Sequence, residues 1–136
     1  MGLRSQVALF SFLVFASGCS HAPKAEPPLT PEGKAYVRSL ALTDTSMKAS
    51  DSYAQQTLTE IEGKIQNTGN KSVDRVDVFC NFFDQNGILI LKERGALVKR
   101  ALKPGEIRKF RLAFDDIPQS WNNQMPSFVI AQVIFS

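Results

Sequence analysis

Residues 73–84 read Val73-Asp-Arg-Val-Asp-Val-Phe-Cys-Asn-Phe-Phe-Asp84, followed by Gln85-Asn86-Gly87 and Ile88-Leu-Ile-Leu-Lys92. In an extended chain Val76, Val78, Cys80 and Phe82 share one face, and Asp77 and Asn81 share the other with Phe79 and Phe83. That is a period of two, the mark of a strand. Asn86-Gly87 tolerates positive φ at both central positions of a tight turn, so the stretch reads as a β-hairpin against which the other strands pack.

Outward from the hairpin, residues 58–67 alternate in the same way. Ile61, Gly63 and Ile65 share one face and Glu60, Glu62, Lys64 and Gln66 the other, a half-solvated strand. Asn67-Thr-Gly-Asn-Lys71 is a turn cluster leading into the hairpin. Residues 107–114 alternate Phe110, Leu112 and Phe114 against Lys109, Arg111 and Ala113, after a Pro104-Gly105 turn. The last run, 127–135, is apolar at nearly every position and is expected to be a central strand covered on both faces. Residues 35–43 fit strand or helix and are taken as the first strand, whereas Thr30-Pro31-Glu32 suits one capped helical turn. Residues 47–56 read as a long connection with Tyr53 available to pin it, and the chain after Lys92 reads as basic and irregular. The expected fold is all-β, an immunoglobulin-like antiparallel β-sandwich of six or seven strands over residues 35–136.

The first 19 residues have the layout of a secretory signal: Arg4, an apolar run from Val7 to Phe15, then Ala16-Ser17-Gly18-Cys19. The run is shorter than the ~20 residues that span a bilayer core. Small residues directly before a Cys resemble the lipobox of bacterial lipoproteins, although Ala16 stands where Leu is more usual. That resemblance implies a signal over residues 1–18 and acylation of Cys19. The alternative is an ordinary cleaved signal with a Cys after it. Two acyl signals suffice for stable anchoring, at ~0.8 kcal/mol per buried methylene. Residues 19–34 hold four of the seven prolines and read as a semi-stiff tether. By the same resemblance, Ser20 after the Cys points to the outer membrane, with the domain facing the periplasm.

From about Tyr36 onward the pattern is similar to the bacterial immunoglobulin-like domains of the FxLYD type. The residues that carry it are Ile61-Glu-Gly-Lys-Ile-Gln-Asn67 with Thr-Gly-Asn, Val76 to Asp84 with Gly87, and Leu102-Lys-Pro-Gly-Glu106 before Phe110. Phe82-Phe83-Asp84 stands where the family has Leu-Tyr-Asp. The resemblance implies a fold and a bacterial envelope setting, and no catalytic or ligand residues.

Composition bounds the chemistry. The chain has 136 residues, 43% hydrophobic, with 16 basic and 13 acidic side chains, so one modest core and no strongly basic nucleic-acid surface are expected. The only histidine, His21, lies in the tether, which leaves no Ser/His/Asp or Cys/His set. Asp74, Asp77, Asp115 and Asp116 read as solvated carboxylates, and Cys80 as a buried, inert thiol. No catalytic residue, metal or cofactor is expected. Residues 85–136 carry eight Lys/Arg against four Asp/Glu. Lys99, Arg100, Lys109 and Arg111 are therefore a candidate interaction surface, with charges that keep sheet edges from pairing as the competing explanation. Phe79 and Phe83 join it if their face is open, and Trp121 either adds to it or plugs one end of the sandwich. The expected function is a lipid-anchored envelope protein, held to the membrane through Cys19, with a non-catalytic module for another envelope protein. An enzyme or accessory subunit acting on envelope polymers is the alternative.

Overall fold

In a computed structural model, residues 28–51 and 57–136 are described. The expected signal, Cys19, His21, Tyr53 and residues 19–27 of the tether lie outside them. Two three-stranded antiparallel sheets face each other. One has the order β1 (Leu40–Asp51), β2 (Thr57–Asn67), β5 (Ile107–Phe114); the other has β4 (Leu89–Val98), β3 (Val73–Phe83), β6 (Ser127–Phe135). The fold is an all-β sandwich of six strands. Among the described residues no helix is long and apolar enough to cross a membrane.

The core forms between the alternating faces read from the sequence. Val76, Val78, Cys80 and Phe82 of β3 are fully buried, as are Ile61 and Ile65 of β2, and Phe110, Leu112 and Phe114 of β5 close over them. Phe82 takes edge-to-face contacts with Phe114 and Trp121, at 5.1 and 5.6 Å between ring centroids, a geometry set by the ring quadrupoles.

Four sequence expectations are corrected. Residues 35–39 are helical: α1 (Pro31–Tyr36) runs into a 3₁₀ turn, Val37–Ser39, before β1 starts. Thr30 Oγ1 accepts from the Gly33 N–H at 3.0 Å and Pro31 fills the first turn, so capping extended the helix past its expected single turn. Residues 47–51 are not a connection but the second half of β1, paired with β2 beyond an irregularity at Thr43/Ser46, where Asp44 takes φ 53°. The segment after Lys92 is regular strand to Val98. Finally, β6 is an edge strand, because β3 holds the centre of its sheet; Val129 and Ile134 stay exposed, and α1 lies beside β6.

The hairpin turn also differs in detail. Gly87 takes φ 76°, and Asn86 is not in the positive region. Asp84 N–H donates to Ile88 O and Gly87 N–H to Asp84 O, while Asp84 Oδ1 accepts from the Asn86 and Ile88 N–H groups. This is the three-residue loop with glycine in the left-handed position, which needs one positive φ and not two.

Candidate functional site

The two sheets meet along a seam where the edge strands β4 and β5 approach each other. Gly95 makes this approach possible: a Cβ there would lie 2.7 Å from Leu112 Cδ2. At one end of the seam a groove of about 410 Å³ is lined by Ala96, Leu97, Lys99, Arg100, Lys109 and Phe110, together with Arg108. Leu97 and Phe110 are buried and form its apolar floor. Lys99, Arg100 and Lys109 are exposed at its rim.

Arg108 organises this end. Its guanidinium donates to Arg100 O and Ala101 O, both at 2.6 Å, and to Glu106 Oε2 at 2.9 Å. Glu106 Oε1 in turn accepts from the Lys103 N–H at 3.0 Å. The Lys103 N–H, and after it the Arg108 guanidinium, hold the Glu106 carboxyl below its ordinary range. Because Arg108 spends its donors on the loop, it fixes where Lys99 and Arg100 stand. In the sequence Arg108 reads as one more positive charge; the clue to its role is Glu106 two residues earlier, beside the Pro104-Gly105 turn.

Among the described residues, no carboxylate is within ion-pair distance of Lys99, Arg100 or Lys109. Three of the four expected basic residues thus share one groove. Arg111 does not: on the outer face of the β1-β2-β5 sheet it reaches diagonally across to Glu60 of β2, its direct register partner being Glu62.

The aromatic candidates fall elsewhere. Phe79 lies on the outer face of β3 as expected, but Lys92 Nζ sits 4.2 Å from its ring centroid and Arg94 Cζ 5.5 Å away. These cation–π contacts leave it half-buried beside a shallow depression of about 540 Å³ lined in part by Leu29, Val129 and Ala131. Phe83 is also half-buried, and its carbonyl accepts from the Asn122 N–H. Trp121 is buried against Phe82, so it plugs one end of the sandwich.

Asp77 corrects the expectation of a solvated carboxylate. It is 1% exposed on the outer face of β3, where Arg75 Nε at 3.0 Å and Arg94 Nη2 at 2.8 Å donate to it. Arg94 Nη2 also donates to Gln132 Oε1 at 2.9 Å. The guanidinium groups supply the partners that a buried carboxylate requires. Cross-strand register, invisible before pairing was known, brings Arg94 within reach.

Cys80 is fully buried, and burial, reinforced by the negative charge of Glu93, pushes its thiol up to about 12. It stays protonated and non-nucleophilic near neutral pH. Among the described residues no three His, Cys, Asp or Glu side chains converge to hold a metal ion. The chain matches no protein-family model, no curated protein and no solved structure.

Proposed function

We infer that the chain is a lipid-anchored protein of the bacterial cell envelope, tethered through Cys19 to the outer membrane, whose β-sandwich is a non-catalytic binding or assembly module facing the periplasm. The anchor and the FxLYD-type identity rest on the sequence patterns around Cys19 and along residues 36–136. The observation that carries the binding role is the seam groove, in which three cations that have no carboxylate partner among the described residues ring an apolar floor. Like charges held together repel, and a partner bearing negative charge relieves that repulsion while covering the floor.

The test uses the full chain in intact cells. With a photo-crosslinking side chain in place of Arg100, a discrete adduct forms, and it is lost when Lys99→Glu and Lys109→Glu are added. Absence of an adduct at position 100, or an adduct indifferent to those reversals, removes the groove as a contact surface. Metabolic acyl labelling that disappears in Cys19→Ala, with release from membranes, tests the anchor; label that persists refutes it.

A further inference from the structure

The seam carries opposite charge at its two ends. Opposite the groove of Lys99, Arg100 and Lys109, a small cleft of about 80 Å³ is lined by Leu91, Glu93, Ala113, Phe114, Asp115 and Asp116. Among the described residues, none of those three carboxylates has a basic side chain within ion-pair distance. They do not converge on a cation site.

The spacing is the same on both strands. Glu93 precedes Lys99 by six residues on β4 and its following turn, and Lys109 precedes Asp115 by six on β5 and its end. The strands run in opposite directions across the seam, since Lys99 shares a groove with Lys109 and Glu93 shares a cleft with Asp115. At ~3.3 Å per residue this places the opposite charges ~20 Å apart on β5 and ~17 Å apart on β4, where a bulge opposite Val76 and Asp77 takes up one residue, with the same end positive on both. The midpoint falls near Ala96 on β4 and Leu112 on β5, where Gly95 and Leu112 touch.

A charge pattern that changes sign about its midpoint is self-complementary under a two-fold axis through that midpoint. Such an axis, standing perpendicular to the seam, lays the basic end of one copy on the acidic end of the other, twice over. We propose that the β4/β5 seam is a homodimer interface in which Lys99, Arg100 and Lys109 of each protomer face Glu93, Asp115 and Asp116 of a second copy. A uniformly anionic partner lying along the seam gains at one end and is repelled at the other, and the two ends are separated by more than the ~8 Å Debye length at physiological ionic strength, so they act independently. A second copy satisfies both ends in one geometry. The proposal rests on the groove being a contact surface and names its occupant.

Sedimentation velocity on the full chain in non-ionic detergent tests it, with three samples. The native chain sediments as a dimer whose dissociation constant weakens at least tenfold between about 50 and 500 mM salt, because screening acts on every cross-pair. A Lys99→Glu, Arg100→Glu, Lys109→Glu variant and an Asp115→Lys, Asp116→Lys variant are each monomeric, and their equimolar mixture forms the heterodimer. Circular dichroism establishes that both variants are folded; if either is not, Lys99→Gln, Arg100→Gln, Lys109→Gln and Asp115→Asn, Asp116→Asn take their places, each weakening the dimer alone. A monomeric native chain, dimerisation unaffected by the variants, or a reversed-charge mixture that stays monomeric overturns the proposal. The crosslinked adduct at position 100 separates the two readings: an adduct of twice the chain's mass supports both, and one of any other mass retains the contact surface while refuting the second copy.

Discussion

The two flanks of the sandwich handle their polar groups in opposite ways. Where α1 meets β6, among the described residues no buried side-chain polar atom of the junction lacks a partner. The Tyr36 hydroxyl donates to Asn67 Oδ1 at 2.7 Å and accepts from the Lys71 N–H, while Asn67 Nδ2 donates to Lys71 O and Leu102 O. Asn67 is fully buried, and Phe135 packs edge-on against the Tyr36 ring at 5.2 Å. Along the β4/β5 seam, by contrast, three cations and three carboxylates stand exposed or half-exposed with no ion-pair partner among the described residues. Satisfied, buried polar networks specify a unique arrangement; unmatched charge at a surface contributes little to the fold and is available for recognition. The first flank holds the molecule together, and the second faces outward.

The largest effect that sharpens this contrast comes from Asn67→Ala. It removes the acceptor of the Tyr36 hydroxyl and the Gly69 N–H and the donor to two carbonyls. The Tyr36 hydroxyl keeps Lys71 O as an acceptor and Leu102 O keeps the Val73 N–H, so the cost is the four hydrogen bonds that Asn67 makes, at ~0.5–1.5 kcal/mol each, and a loss of about 3 kcal/mol in urea unfolding is expected. A loss below about 1 kcal/mol would mean that water enters the junction, and that the flank is less closed than its hydrogen bonds imply.

These differences explain how much was legible in the sequence. Period-two alternation located β2, β3 and β5 because one face of each strand is buried, and burial is what alternation records. It failed for β6, where Ser127 to Phe135 is apolar on both faces yet lies at an edge; composition does not say which strand occupies the centre. It failed for residues 35–39 because a cap at Thr30 and the anchoring of Tyr36 thirty-one residues away decided between helix and strand. Asn67 looked like a turn residue, and its side-chain role depends on loops that meet only after folding. At the candidate site, the basic excess of the second half was plain, but Arg111 could not be separated from Lys109 without the β2–β5 pairing, which sets Arg111 among Glu62 and Glu60 and sets Lys109 opposite Lys64.

The next effect links the open flank to the core through Cys80. Its thiol is raised from 9.0 to about 12, first by burial and then by the charge of Glu93 at the seam. Folding favours the protonated thiol, so this contribution is complete below the unfolded value near 9 and is lost as pH rises toward about 12. A tenfold difference in proton affinity between the folded and unfolded chains corresponds to ~1.4 kcal/mol, so at pH near 10.5 the native chain should lose about 2 kcal/mol relative to its Cys80→Ala variant, compared with pH 8. Urea titrations of the two proteins at both pH values measure it. An unchanged difference would show that the thiol ionises without opening the core. Adding Glu93→Gln should recover the smaller part of the loss, since burial is the larger cause.

The smallest effect on the folded protomer is expected from Lys99→Gln, Arg100→Gln, Lys109→Gln. Exposed side chains without partners rarely alter stability by more than ~0.5 kcal/mol apiece, and here removing mutual repulsion opposes any loss. At dilution, the unfolding midpoints of the variant and the native chain should therefore coincide. They should separate as concentration rises, because association of folded protomers stabilises them by mass action and raises the native midpoint alone. Cations that serve only to keep the β4 and β5 edges from pairing predict a different pair of results. The native midpoint would then be independent of concentration, and the neutral variant would aggregate at concentrations where the native chain stays clear. Thermal unfolding across a hundredfold concentration range, with light scattering on the same samples, separates an edge that repels its neighbours from one that selects a second copy of itself.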